Sequence, residues 1–105
     1  MLPAFVPLYA YRGDTWTQDF RLLDAPGVPH DLTNATIAAW AHNAAVPQII
    51  LTVTKGSAPG TLTVALPSGA AAGLYSYDIE LTEAGVVTTW VNGSLSIQQD
   101  VTNAP

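Results

Sequence analysis

Apolar and polar side chains alternate with a period of two along most of this chain. The clearest alternation is at 74–82, where the apolar set is Tyr75, Tyr77, Ile79 and Leu81. A second alternation, at 15–23, places Trp16, Gln18, Phe20 and Leu22 on one face. Further short strands are predicted at 36–42, 48–54, 61–66 and 86–91, with a last one around 95–97. Short strands separated by frequent turns predict an all-β sandwich or barrel.

Turn-forming residues separate these predicted strands. Asp24-Ala25-Pro26-Gly27 and Glu83-Ala84-Gly85 have the composition of turns. Asn92-Gly93 predicts a hairpin turn or a bulge between the last two strands. Only the alanine-rich segment 68–73 has the composition of a helical turn.

The aromatic residues favour one kind of sandwich. Tyr75 begins a late strand, where a tyrosine of an immunoglobulin-like domain bonds back across the preceding corner. Tyr77, Phe20 and Trp40 then fall at inward positions and replace the disulfide and tryptophan of antibody domains. We therefore expect an immunoglobulin-like antiparallel β-sandwich of about seven short strands. The alternative is that these are ordinary core aromatics of an unspecified sandwich.

Composition suggests that much of the surface is covered by other protein. The 105 residues predict a single domain over 1–105, and only 10% of them are charged, against about 25% in a typical soluble domain. Hydrophobic residues reach 49%. Too few charges are present to keep an exterior free of apolar patches. We expect other proteins, including further copies of this chain, to cover it.

Several function classes are disfavoured by the same composition. A net charge of −5 with three Lys and Arg argues against nucleic acid as a partner. No apolar run approaches the roughly 20 residues that cross a bilayer, so we expect no membrane partner. Cysteine is absent, and no signal peptide is recognisable at the amino terminus, which favours folding in a cytoplasm.

No sequence motif predicts catalysis, a metal or a cofactor. The tripeptide Arg12-Gly13-Asp14 fits a turn better than integrin recognition, and His30 and His42 lack metal-ligand spacing. His30 is expected to be a solvated loop residue. Asp78 and Glu80 share one face of a strand, where solvated acids are the usual case. We expect no enzymatic activity.

Two sets of apolar residues are candidates for contact with partners. The stretch 1–8 is nearly uncharged and contains two prolines, which suit either an edge strand of its own domain or an arm that docks on a neighbour. Its candidate interface residues are Leu2, Phe5, Val6 and Leu8. A carbohydrate- or receptor-binding sandwich would instead need exposed aromatic residues, for which the candidates are Trp16, Trp90, Tyr9 and Tyr11.

The order of short motifs along the chain resembles a known protein family. The segments that carry the resemblance are 12–15, 23–29, 31–36, 60–64, 72–75, 77–81, 93–97 and 100–102. Together they are similar to the immunoglobulin-like amino-terminal domain of phage baseplate upper proteins and related virion modules. The resemblance implies a non-enzymatic structural or adaptor protein of a tailed-phage virion, made in the bacterial cytoplasm. It leaves tail, baseplate and head locations open.

Overall fold

The computed structural model describes residues 4–12, 15–24, 27–67 and 69–98, and all the regular structure in these ranges is β-strand. The strands are β1 (Ala4–Phe5), β2 (Leu8–Tyr11), β3 (Thr17–Arg21), β4 (Leu23–Asp24), β5 (Val28–Pro29), β6 (Thr36–His42), β7 (Ile49–Lys55), β8 (Thr61–Ala65), β9 (Gly73–Glu83) and β10 (Val86–Gln98). The predicted all-β class is confirmed. The helical turn considered at 68–73 is not seen in the described residues of that segment.

The predicted strand count of about seven is wrong, because the described residues form ten strands. Three of them, β1, β4 and β5, have only two residues each, which is too short for alternation to reveal. Two others are long: β9 has 11 residues and β10 has 13. The segments 86–91 and 95–97, expected to be separate strands, both belong to β10.

Eight of the strands form one curled sheet, in the order β1-β10-β9-β6-β7-β8-β3, with β2 also paired to β10. The sheet curls at strand β7, whose two halves pair with different strands. Its residues Ile49–Leu51 pair with β6, and its residues Thr52–Lys55 pair with β8. We call the part containing β1, β2, β10, β9, β6 and the first half of β7 the large sheet. The small sheet comprises the second half of β7, β8 and β3, and β4 and β5 form a separate hairpin.

The inner faces of the two sheets share one hydrophobic core. The large sheet contributes most of it, and β9 supplies the four alternating residues Tyr75, Tyr77, Ile79 and Leu81, none more than 4% exposed. Leu62 and Val64 of β8 close the core from the small sheet, each 1% exposed. The alternation predicted for 74–82 and 61–66 is therefore confirmed. At about 25 cal/mol per Å² of apolar surface, such burial is the main force that holds the sheets together.

Tyr75 makes the hydrogen bond that its position in the sequence predicts. Its hydroxyl donates to the carbonyl of Ala71, four residues upstream, at 2.7 Å. The ring is buried, so the bond satisfies a polar atom that would otherwise be costly to bury. It ties the loop before β9 to the start of that strand.

The predicted trio of inward aromatics is only partly correct. Tyr77 is buried and Phe20 is half-buried against the core, but Trp40 is 42% exposed on the other side of β6. The inward residues of β6 are Ile37, Ala39 and Ala41, which lie opposite Leu81, Ile79 and Tyr77 of β9. The alanines at 39 and 41 leave room for the large β9 side chains beside them, because protein interiors are close-packed.

The two predicted turns near the end of the chain have different outcomes. Ala84 and Gly85 both have positive φ, 51° and 81°, as a two-residue hairpin turn between twisted strands requires. Asn92 and Gly93, by contrast, continue β10 and pair with β9. The register irregularity of β10 lies earlier, between Thr89 and Val91, so Trp90 is the extra residue of the strand there.

The amino-terminal strands pair within their own domain. Both β1 and β2 run parallel to β10 and keep the same register, from Ala4 opposite Val91 to Tyr11 opposite Gln98. The pairing is interrupted at Val6 and Pro7, where proline has no N–H to donate. Described residues of the stretch 1–8 thus form the edge strand that the sequence left as one alternative, while 1–3 lie outside the described residues.

Two hydrogen bonds fix the backbone at Val6, where the pairing with β10 is interrupted. Its N–H donates to the carbonyl of Asn92 at 2.8 Å, and its carbonyl accepts the hydroxyl of Tyr77 at 2.5 Å. Burial raises the pKa of Tyr77 to about 12, so this hydroxyl remains a donor across the neutral range. Gly93 lies beside Val6, and a Cβ at Gly93 would overlap the Val6 backbone. A glycine is needed at position 93 because the backbone of Val6 passes so close to it.

We predict that Gly93→Ala displaces the amino-terminal strands from β10. The new methyl group overlaps backbone, not a flexible side-chain end, so we expect a loss of about 1–3 kcal/mol in the free energy of unfolding, measured by urea denaturation. Gly69→Ala is the control, since a Cβ at Gly69 meets nothing within 4 Å. Equal stability of the two variants would show that the close approach at Gly93 is absent in solution.

Candidate interaction face

The outer surface of the large sheet carries rows of side chains that the strand register aligns. One row crosses five strands, from Ile50 of β7 through Trp40, Asp78 and Asn92 to Phe5 of β1. A second row joins Leu74 of β9 to Tyr9 of β2 through Ser96 of β10. Residues paired in register on neighbouring strands project from the same side of a sheet. Each row is therefore a continuous surface feature.

Large apolar side chains on this surface are exposed. Ile50 is 64% exposed, and Leu74 and Tyr9 are each 68% exposed. Single exposed apolar residues are normal, but a group of them on one sheet face marks a contact surface. We call this group the open face, and its residues are Phe5, Tyr9, Tyr11, Trp40, Ile50 and Leu74.

The polar residues between these side chains are mostly uncharged. Ser76, Ser94, Asn92 and His42 are outward residues of the same strands. Asp78 and Glu80 also lie here, half-buried and on one side of β9, as alternation predicted. A partner that covers this surface therefore removes solvation from charged groups only at Asp78 and Glu80.

The outer face of the small sheet is different in composition. Threonines dominate it, and they lie in register with two charged residues of β3, Asp19 and Arg21. Asp19 also accepts a hydrogen bond from the hydroxyl of Thr63 across the strands at 2.7 Å. This face has the composition of an ordinary solvated sheet surface. The two outer faces of the curled sheet thus differ in composition, because one carries exposed large apolar side chains and the other carries threonines.

The candidate interface residues of the amino-terminal stretch differ in how far they are buried. Leu8 is 4% exposed and belongs to the protein's own core, so it is not available to a partner. Val6 is half-buried and packs against the core. Phe5 is 70% exposed and lies on the open face. Leu2 lies outside the described residues.

The four aromatic candidates for sugar contact divide into two pairs. Tyr9 and Tyr11 are exposed on β2, two residues apart and on the same side. Trp16 is half-buried, and its indole N–H donates to the carbonyl of Tyr9 at 2.9 Å. Trp90 is also half-buried, with its ring centroid 4.7 Å from that of His30. Only the tyrosines present their rings to solvent.

The expectation for His30 is wrong. Instead of being solvated in a loop, its ring is 20% exposed and lies between the carboxylates of Asp24 and Glu83. His42, in contrast, is exposed at the end of β6. Among the described residues, no group of three or more acidic, histidine or cysteine side chains has a geometry that could hold a metal ion. A membrane-spanning helix is likewise absent from the described residues.

Sequence reasoning did not identify Trp40, Ile50 or Leu74 as surface residues. The segment 36–42 has apolar residues on both faces of its strand, so alternation does not decide which face is inward. Ile49, Ile50 and Leu51 likewise form an apolar run, in which only the middle residue is exposed. Side-chain volume is a usable signal, because Ala39 and Ala41 on either side of Trp40 are small enough to lie beside Ile79 and Tyr77 of β9.

Comparison with known proteins gives a likeness of fold. No family model matches this chain, and no curated protein matches it. Among solved structures, the crystal structure of Listeria monocytogenes InlP is similar, with a TM-score of 0.58 and 17% sequence identity. The match covers 90% of this chain and 26% of that one, so this chain spans about a quarter of that chain's length. At this identity the likeness concerns the fold alone.

We predict that the open face contributes little to folding stability. Ile50→Thr and Leu74→Thr should change the free energy of unfolding by no more than about 0.5 kcal/mol, because both side chains are exposed. Leu95→Ala, at a position with 0% exposure, should cost about 2–5 kcal/mol. Urea denaturation of the three variants provides the comparison. A loss of several kcal/mol in either threonine variant would mean that its side chain is part of the core.

Proposed function

We propose that this chain is an immunoglobulin-like β-sandwich module that acts as a structural or adaptor protein and binds other proteins through the open face. The contrast between the two outer faces of the curled sheet carries this proposal. One face is rich in threonine and carries Asp19 and Arg21, whereas the other has Trp40, Ile50 and Leu74 exposed among polar residues that are mostly uncharged. A surface of the second kind is stabilised when another protein covers it.

Topology and one hydrogen bond support the immunoglobulin-like part of the proposal. In immunoglobulin-like domains the strands divide between two packed sheets with Greek-key connections, and a tyrosine corner precedes the penultimate strand. Here β6, β9 and β10 lie together in the large sheet, and β3 and β8 pair in the small sheet. The bond from Tyr75 to Ala71 has the position and direction of that corner.

The biological setting that we propose is the virion of a tailed phage, where the chain would be present in several copies and contact itself or other virion proteins. The motif order of the sequence supports this setting, and the open face supports a role in assembly. A multi-copy particle would place the open face against a neighbour around a symmetry axis. Location in tail, baseplate or head is not part of the proposal.

A carbohydrate- or receptor-binding module is the second candidate. The exposed rings of Tyr9 and Tyr11, on one side of β2, favour it. Aromatic rings offer flat apolar surfaces with a polar edge, which suits contact with a partly polar ligand. Saturable binding of the isolated protein on a glycan array, lost in a Tyr9→Ala/Tyr11→Ala variant, would favour this function over assembly.

We predict that Ile50→Glu strongly reduces incorporation into the assembly and that Thr54→Glu does not. Both residues are exposed on β7, but Ile50 lies on the open face and Thr54 on the small sheet. A charge introduced into a covered apolar surface should weaken association at least about tenfold, or roughly 1.4 kcal/mol. The measurement is mass-spectrometric quantification of each variant in purified particles of the phage that encodes the chain.

Two results would contradict the proposal. Absence of the wild-type chain from purified particles would rule out the virion setting. Equal incorporation of the Ile50→Glu and Thr54→Glu variants would instead retain the setting and reject the open face as the contact surface. Circular dichroism of both variants checks that each one is folded.

A further inference from the structure

Three separate parts of the fold meet at the ring of His30. The residue directly follows β5, and its backbone N–H donates to the carbonyl of Leu22 at 2.9 Å. Asp24 approaches from β4, Glu83 from the end of β9 and Trp90 from β10. His30 thus lies where the β4–β5 hairpin contacts the hairpin of β9 and β10.

Both ring nitrogens of His30 face carboxylate oxygens. Nδ1 is 2.9 Å from Oδ1 of Asp24, and Nε2 is 3.0 Å from each of the two carboxylate oxygens of Glu83. A neutral imidazole has only one N–H, so one nitrogen would present a lone pair to an anionic oxygen. An imidazolium donates from both nitrogens. This geometry therefore fits the protonated ring.

Trp90 reaches His30 because of the irregularity in β10. As the extra residue between Thr89 and Val91, it departs from the inward and outward alternation of the strand. Its ring lies 4.7 Å from the His30 ring, at an interplanar angle of 44°. A cation this close to an indole is stabilised by the negative electrostatic potential over the ring face. The bulge thus adds a third contact that favours the charged form.

We propose that protonated His30 is a latch that fastens the β4–β5 hairpin to the end of the large sheet and releases it as the pH rises. This inference does not depend on the proposed function. Release requires loss of the Nε2 proton, which removes the hydrogen bond to Glu83 of β9 and leaves the bond to Asp24 within the hairpin. The strands β4 and β5 have two residues each and contact mainly each other, so few contacts with other strands oppose separation.

The charges around the ring agree with this inference. Burial lowers the pKa of His30, but hydrogen bonds and Coulomb attraction from Glu83 and Asp24 outweigh it, so the net pKa is raised above 6.5. Asp31, the next residue, is exposed and accepts hydrogen bonds from Thr33, which lower the pKa of its carboxyl group. Stability from the latch is therefore complete below the unfolded-state pKa of His30 and is lost as the pH rises through its folded-state pKa.

Nuclear magnetic resonance of the whole chain tests this proposal. We expect the ring of His30 to titrate above pH 6.5 and the amide signals of Gly27 and Val28 to move with the same midpoint. Glu83→Gln and Asp24→Asn should each lower that midpoint, since each removes one anionic partner but keeps the side-chain size. Glu80→Gln is the matched control, because Glu80 lies on the same strand and pairs toward Ala38 on the open side.

A His30→Gln variant completes the design, since it should abolish the pH-dependent movement of the Gly27 and Val28 amides. The proposal is overturned if His30 titrates at or below pH 6.5, or if Glu80→Gln shifts the midpoint as much as Glu83→Gln does. It is also overturned if the hairpin amides move with pH in the His30→Gln variant as they do in the wild type.

Discussion

The register between β6 and β9 determines which side chains of this protein reach its surface. Because side chains alternate along a strand, placing Tyr77 and Ile79 in the core leaves Asp78 outside. The same register places Trp40 opposite Asp78 and therefore outside as well. A slip of one residue between the two strands would pair Trp40 with Tyr77 or Ile79, and Trp40 would then lie on the core side with them. The core and the open face are thus two consequences of one pairing.

The amino-terminal strands depend on that arrangement. Tyr77 projects inward from β9 and reaches the carbonyl of Val6, and Gly93 leaves space for the backbone that carries it. An amino-terminal edge strand is normally prone to fray. Here it is held by Leu8 and Ala10, which are buried against β10, and by the Tyr77 hydroxyl. As a result Phe5, Tyr9 and Tyr11 are positioned on the outer surface and extend the open face to the edge of the sheet.

Much of the fold could be predicted from period-two alternation, but the exposed surface could not. Where one face of a strand is polar, as at 74–82, the core residues follow directly from the sequence. Where both faces are apolar, as at 36–42, the assignment depends on the volume of the β9 side chains, and Ile79 lies 40 residues from its partner Ala39 in the chain. The carboxylate partners of His30 could not be predicted from alternation either. Glu83 is 53 residues away in sequence, so its contact with the ring is a product of the fold.

In the proposed assembly the open face is covered while the outer face of the small sheet is not, and cysteine accessibility distinguishes the two faces at single positions. The chain has no cysteine, so Ile50→Cys and Thr54→Cys each introduce a unique thiol into it. Both thiols should react with a maleimide in the isolated protein, because both positions are exposed. In purified particles we predict that the thiol at position 50 is protected and the thiol at position 54 is still modified. Equal modification at both positions in the particle would contradict the account.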